Sequence, residues 1–176
     1  HKKPLVVPTM SYIGDLEKKL KKKKVPKPVQ RFIEEHVRVG KRFLLFVPRI
    51  TLLGPIEAAL RGQFPNAKFE TVSSKELYRQ ERIAKMRAEE LDFLVTTTIL
   101  ERGVTFPGVD VCVVNAHEEE FSREVLVQIA GRVGRTAECP TGEVVYFHNG
   151  KTKAMVQAVR EIEDLNRQAL LGREHE

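Results

Sequence analysis

Cysteine is scarce in this sequence. Cys112 lies in an apolar run and Cys139 stands beside Pro140, so neither has a neighbour with which to form a CxxC metal-binding pair. We expect two unrelated free thiols in a reducing, intracellular setting.

Long apolar runs are also missing. No stretch approaches the roughly 20 residues that a membrane-spanning helix needs. The first residues, HKKPLVVPTM, contain no initiator methionine and no long apolar segment typical of a secretory signal. With 41% hydrophobic and 31% charged residues, the chain is expected to be a soluble globular fragment of a longer protein.

Two motifs of nucleotide hydrolysis are absent. Nothing matches GxxxxGK[ST], the loop that holds phosphates, and no acidic DExx motif follows a strand. Gly150, Lys151 and Thr152 resemble the end of the loop but lack the upstream glycines. By itself, this chain is therefore not expected to hydrolyse ATP.

The histidines form no metal-binding motif. His117 is followed by three glutamates but has no second histidine four residues later. It is interpreted as a loop residue, and His36 and His148 as packing or loop residues. Asp110 is interpreted as an ordinary surface charge, and no metal site is predicted.

Positive charge is abundant and unevenly distributed. The chain has 30 Lys and Arg against 24 Asp and Glu, a net charge of +6, which permits an anionic partner without requiring one. The segment EKKLKKKKVPKP, residues 17–28, favours a solvated linker or an exposed helix end, although its lysines could also follow a DNA phosphate path. We place the domain boundary here, with residues 1–27 as a basic N-terminal segment or linker and residues 28–176 as the domain.

The rest of the chain alternates between apolar runs and helical periodicity. This pattern predicts an α/β fold with a parallel sheet between helices. Helices are expected from residue 28 to Gly40 and over 51–64, 75–90, 122–135 and 151–170. Strands are expected over 42–48, 67–72, 92–97, 109–115 and 142–148. Because ligands collect at the carboxyl ends of such strands, residues 48–51, 73–75, 96–98, 115–119 and 149–151 are candidate site segments.

One candidate motif is TTTILERGVTFPGVDV, residues 96–111. Three threonines end an apolar strand and precede a helical turn, so that their hydroxyls and the free amides of the turn could bind a phosphate. The alternative is that the threonines are simply good strand formers and that Gly103 occupies a turn.

The second motif is QIAGRVGR, residues 128–135. The helix that opens at Ser122 is expected to continue through it and to place Arg132 and Arg135 on one face. The glycine before each arginine weakens a helix by up to roughly 1 kcal/mol but leaves room for a close neighbour. Arginine provides a planar, permanently charged group for a phosphoryl group, whereas a solvated basic face would not explain the glycines.

These two motifs resemble motifs V and VI of the second RecA-like domain of superfamily 2 helicases and translocases, and LLFVP resembles motif IV. The similarity covers about residues 28–168. The sequences of three segments most resemble the ComFA family of late-competence DNA-uptake ATPases: TTTILERGVTFP, QIAGRVGR and NGKTKAM. The fold class implied is a RecA-like, P-loop NTPase-type sheet.

The resemblance implies a nucleotide-facing set of residues. Arg132 and Arg135 match the arginine fingers that reach the γ-phosphate, and Gln128 matches a polar residue beside the cleft. Gly103 matches a residue whose main chain lies near the nucleotide. Thr105 occupies a position where many members have an aspartate for the ribose, so ribose recognition is not expected from it. ATP and Mg would be shared with an N-terminal motor domain.

The resemblance also implies a DNA-facing set. Thr97 and the amides of Thr98 and Ile99 match the motif V contacts to the nucleic-acid backbone, and Pro48 and Arg49 follow the motif IV strand. The implied function is that of the C-terminal motor domain of an ATP-dependent single-stranded DNA translocase in DNA uptake. Its partners would be single-stranded DNA, the N-terminal RecA-like domain and DNA-uptake machinery proteins. Its location would be cytoplasmic, at the inner face of the bacterial membrane.

Two alternatives stay open. One is the C-terminal domain of another superfamily 2 helicase, of the primosome-assembly or fork-reversal type. The other is a non-catalytic nucleic-acid-binding or docking module that keeps the fold as a scaffold.

Overall fold

The computed structural model describes residues 4–74, 77–97, 106–134 and 142–174. Five of the site residues named above lie outside these ranges: Thr98, Ile99, Gly103, Thr105 and Arg135.

A six-stranded sheet forms the centre of the domain. Its order is β1-β8-β6-β2-β4-β3, and every pairing is parallel. The strands of this sheet are β1 (Thr9–Tyr12), β2 (Phe43–Phe46), β3 (Phe69–Val72), β4 (Phe93–Thr96), β6 (Asp110–Val113) and β8 (Val144–His148). A separate two-stranded ribbon pairs β5 (Phe106–Pro107) with β7 (Val133–Gly134). The five predicted strands are confirmed.

The core lies on both faces of this sheet. All residues of β2, β4, β6 and β8 are buried, as expected for continuous apolar runs covered on both sides. One face packs against α4 (Arg79–Arg87), α5 (Arg123–Ala130) and α6 (Lys153–Glu174). The other packs against α1 (Leu16–Lys21), α2 (Lys27–Val39) and α3 (Leu53–Gln63), the last preceded by a 3-10 turn at Ile50–Leu52.

The basic segment, residues 17–28, is not a linker: its first part forms a helix with exposed lysines, which agrees with the other alternative, an exposed helix end. Residues 9–12 form an edge strand of the main sheet, and α1 follows at once, with Asp15 as its N-cap. Leu16 and Leu20 are buried at 2% and 6% exposure, while the lysines between and after them are exposed. The apolar positions four residues apart, masked in the sequence by surrounding lysines, anchor this segment in the core.

Helix α5 is shorter than predicted, and this corrects one argument made from the sequence. The helix ends at Ala130, Gly131 occupies its C-cap, and Val133 and Gly134 are extended. Glycine and β-branched valine favour helix poorly, and β7 gains backbone pairing with β5 instead. Arg132 is therefore not on a helical face, and the expectation of a helix through residue 135 is wrong.

The described helices include none with the length and apolar character required to cross a membrane.

Candidate functional site

The parallel sheet brings several predicted site segments to one edge. Because all six strands run in the same direction, their carboxyl ends lie together. Arg49 follows β2, Thr97 follows β4 and Asn115 follows β6, and these three strands are adjacent in the centre of the sheet. The central part of this edge is the candidate site.

Arg49 is held by two carboxylates. Its guanidinium lies 2.7 Å from Glu17 of α1 and also pairs with Glu118, in the loop after β6. The side chain is 33% exposed, so it remains accessible to a ligand. A phosphate at this position would have to exchange with a carboxylate partner. Pro48, predicted with Arg49 as a nucleic-acid contact, is buried.

Three described side chains at this edge have buried polar atoms without a partner: Thr97, Asn115 and, at the end of β8, His148 through its Nδ1. The hydroxyl of Thr97, a residue only 3% exposed, has no hydrogen-bond partner among the described residues. Asn115 adopts a left-handed backbone, φ 59°, and its Nδ2 donates to Glu118 at 2.7 Å, while its Oδ1 is similarly without a partner. Native proteins leave few buried polar atoms unsatisfied, so the atoms left without a partner among the described residues make this edge the candidate place for a ligand contact.

Helix α5 leads to the predicted arginine fingers. Ser122 caps it as predicted, since its Oγ accepts a hydrogen bond from the Val125 N–H at 3.2 Å. The buried Tyr146 hydroxyl donates to the Leu126 carbonyl at 2.9 Å and fixes the helix to β8. Near the helix end, Gln128 is exposed. The predicted nucleotide-facing polar residue is thus accessible from outside the domain.

Arg132 follows the end of α5. It is half-buried, and burial lowers the pKa of its guanidinium. A methyl group placed at Gly131 would meet only the carbonyls of Gln128 and Val127, at 3.4 and 3.7 Å. No neighbour among the described residues therefore requires glycine there.

A buried polar cluster lies at the opposite edge of the sheet. His36 of α2 places Nδ1 2.8 Å from the Phe32 carbonyl oxygen and Nε2 2.8 Å from Oδ2 of Asp110, at the start of β6. Both partners accept hydrogen bonds, so both ring nitrogens donate, which favours the imidazolium. Asp110 is only 4% exposed, and its Oδ1 accepts from the Glu143 N–H at 3.0 Å. The interpretation of Asp110 as a surface charge is wrong.

The charges of this cluster are balanced internally. Burial alone would lower the pKa of His36, but its hydrogen bonds to Asp110 and Phe32 and the nearby carboxylates outweigh burial, and the pKa is raised. Donor atoms of His36, Asp110 and Glu143 lie within 4.8 Å of one another, so they could hold a metal ion. However, the direct bond between His36 and Asp110 satisfies both groups without an ion. The single sequence gave no signal for this pair, whose members are 74 positions apart.

Comparison with known proteins identifies the family. Residues 24–137, well over half of the chain, match the helicase conserved C-terminal domain family. The chain belongs to that family.

The helicase domain is also similar to individual proteins. It is 42% identical over 166 residues to competence protein ComFA of Bacillus subtilis, covering 94% of this chain and 35% of that protein. It is 38% identical over 169 residues to ComFA of Streptococcus pneumoniae, covering 96% and 39%. The chain therefore spans little more than a third of the length of these relatives. The resemblance to the ComFA family is confirmed.

A solved structure confirms the fold. Domain 2 of the DEAD-box helicase Mss116p, bound to an RNA duplex, aligns with a TM-score of 0.64 at 19% identity, covering 90% of this chain and 59% of that one. The predicted RecA-like parallel sheet between helices is the fold of this helicase domain.

Proposed function

We propose that this helicase domain is the C-terminal motor domain of an ATP-dependent single-stranded DNA translocase that acts in DNA uptake during competence. The similarity to two ComFA proteins supports the biological role. Membership of the helicase C-terminal family supports the motor role. ATP and Mg would bind between this domain and an N-terminal RecA-like domain, and this domain alone would not hydrolyse ATP.

The observation that carries the DNA-binding part is the unsatisfied polar edge. Thr97 follows β4 and Asn115 follows β6, the two strands on either side of β2, and each has a buried polar atom without a described partner. A hydroxyl can donate to a phosphate oxygen, and such contacts position a protein on a nucleic-acid backbone. Pro48 and Arg49, which follow β2, would add to this contact. Thr98 and Ile99, the other predicted backbone contacts, lie outside the described residues.

The nucleotide would be contacted from the far end of α5. Closure of the two motor domains would bring Arg132 and Arg135 to the γ-phosphate, with Gln128 beside the cleft and the backbone of Gly103 and Thr105 near the nucleotide. The half-buried position of Arg132 suits a desolvated contact of this kind, because electrostatic stabilisation is stronger where water is excluded. Repeated closing and opening would shift the grip at Thr97 along the strand.

Partners and location follow from the same proposal. Single-stranded DNA and the N-terminal motor domain would be direct partners, and DNA-uptake machinery proteins would meet the complete protein. The site of action would be the cytoplasm, at the inner face of the membrane.

The decisive experiment uses the full-length protein. Arg132→Ala and Arg135→Ala should each lower DNA-stimulated ATP hydrolysis by on the order of a thousandfold, because an arginine finger stabilises charge in the phosphoryl-transfer transition state. Phosphate release with and without oligo-dT measures this effect. Arg38→Ala, at an exposed position near the opposite edge of the sheet, is the control. Unchanged turnover in both finger variants would remove the proposed mechanism.

A further inference from the structure

Six lysines form an exposed ridge on and after α1. The lysine ridge consists of Lys18, Lys19 and Lys21–Lys24, and every member is exposed. Two acidic residues lie in the same stretch, but both are engaged elsewhere. Asp15 accepts a hydrogen bond from the backbone N–H of Lys18, and Glu17 pairs with Arg49. Within the described parts of the chain, no ion pair involves a member of the ridge.

The ridge is held in place by the fold. Leu16, Leu20 and Val25 are buried in the core beneath it. In addition, the backbone N–H of Val25 donates to Oε1 of Gln63 at 2.7 Å, which fixes the segment to the end of α3. The six charges are therefore concentrated on a structured surface and not spread along a free linker. Such a concentration of one sign raises the local density of counterions and favours a polyanion.

The position of the ridge connects it to the candidate site. The ion pair between Glu17 and Arg49 links α1 to the carboxyl end of β2 at 2.7 Å. The backbone N–H of Ile13, just before α1, donates to the carbonyl of His148 at the carboxyl end of β8. Helix α1 thus begins at the edge where Thr97 and Asn115 lie.

We propose that the lysine ridge binds the phosphates of single-stranded DNA as the strand passes the carboxyl edge of the sheet. This inference rests on the proposed function and adds a contact surface that lies outside the motifs discussed above. The ridge suits DNA better than a membrane surface. Interfacial helices insert a large apolar face into the lipid, whereas the apolar residues of α1, Leu16 and Leu20, are already buried in the domain.

The proposal predicts a specific salt dependence. Each lysine that neutralises a phosphate of a single strand releases counterions and contributes about 0.7 to the slope of log affinity against log salt concentration. Replacing Lys21, Lys22 and Lys24 with glutamine in the full-length protein should therefore reduce the slope by about 2. Glutamine keeps a long stem and a similar helix propensity, so the exposed positions should not disturb folding.

The matched control removes three exposed cations from other parts of the surface. Arg38, Lys68 and Arg87 lie at the end of α2, before β3 and at the end of α4. Their triple glutamine variant has the same net charge as the ridge variant. A third variant, K21R/K22R/K24R, keeps the charge and should restore the wild-type slope.

Fluorescence anisotropy of labelled oligo-dT over a salt series measures the slopes, and sedimentation with phosphatidylglycerol vesicles tests the membrane alternative. A slope lowered only in the ridge glutamine variant supports the proposal. Equal slopes in the ridge and control variants overturn it. So does a ridge glutamine variant that loses vesicle binding but keeps its DNA binding.

If wild type hydrolyses ATP in response to DNA but the ridge variant keeps its slope, only this inference fails. If wild type neither binds DNA nor responds to it, the proposed function fails as well.

Discussion

Thr97 combines burial with a hydroxyl that has no partner among the described residues. An unsatisfied buried polar atom costs about 1 to 3 kcal/mol of folding free energy. Such a cost is tolerated where it serves a function, since binding sites are often less stable than they could be. The same residue is the sequence-based candidate for the DNA backbone contact.

Thr97→Val should therefore have opposite effects on stability and binding. Valine has nearly the shape of threonine but no hydroxyl, so the free energy of unfolding should rise by about 1 kcal/mol. The affinity of the full-length protein for oligo-dT should fall. Urea unfolding of the domain and anisotropy of the full-length protein measure the two effects.

Thr96→Val provides the comparison for this variant. The hydroxyl of Thr96, the first of the three threonines in the candidate phosphate site, already donates to the carbonyl of Thr97 at 3.3 Å. Unlike the Thr97 hydroxyl it is engaged within the chain, so its removal should lower stability and leave affinity unchanged. Undiminished DNA affinity in Thr97→Val would refute the role of the hydroxyl.

At the scale of elements, β1 and α1 make residues before position 28 a structured part of the domain. The buried Leu16, at 2% exposure, predicts that this segment contributes to stability. Leu16→Ala should lower the free energy of unfolding by about 2 to 5 kcal/mol, because it removes buried methyl groups and leaves a cavity. Lys21→Ala, at an exposed position of the same helix, should change it by less than about 0.5 kcal/mol. Equal, small effects in urea unfolding would mean that the segment behaves as a linker.

The elements also show what the sequence could predict. Strands such as β2 and β4 could be predicted because both of their faces are buried, which makes the apolar run in the sequence continuous. Strand β1 could not, because Thr9–Tyr12 is only partly buried and has no such run. The end of α5 was missed for another reason: pairing of β7 with β5 competes with helix extension, and this pairing depends on residues distant in sequence.

The position of the candidate site could be predicted from the sequence, but its side-chain contacts could not. The alternation of strands and helices brought Arg49, Thr97 and the segment beginning at Asn115 to one edge, as the topology rule predicts. The ion pairs of Arg49 with Glu17 and Glu118 could not be anticipated, because they depend on where α1 and the loop after β6 pack in three dimensions.

At the scale of the whole molecule, the cluster of His36, Asp110 and Glu143 couples stability to pH. The pKa of His36 is raised in the folded state, so the folded protein holds its proton more tightly than the unfolded chain does. The resulting stabilisation is fully present below the ordinary histidine pKa of 6.5 and is lost as the pH rises through the raised value. Glu143 acts in the same direction at lower pH, because partial desolvation raises its pKa too; the contribution is small, since its side chain is 51% exposed.

The free energy of unfolding should thus decline as the pH rises from about 6.5. Urea unfolding at a series of pH values measures this decline, and Asp110→Asn should flatten it, because the partner that favours the imidazolium is then neutral. A decline of the same size in that variant would contradict the assignment. His117 has the opposite effect on the pH dependence, because burial and the nearby His148 lower its pKa in the folded state.

The pairing of β1 with β8 also governs the order in which the molecule can be completed on the ribosome. Thr9 and its neighbour Val144 are 135 residues apart, a distance that takes about 7 to 27 seconds to synthesise at roughly 5 to 20 residues per second. Throughout that interval β1 lacks β8, the strand with which it pairs. The six-stranded sheet therefore cannot be completed until β8 has emerged, and β1 pairs with it last.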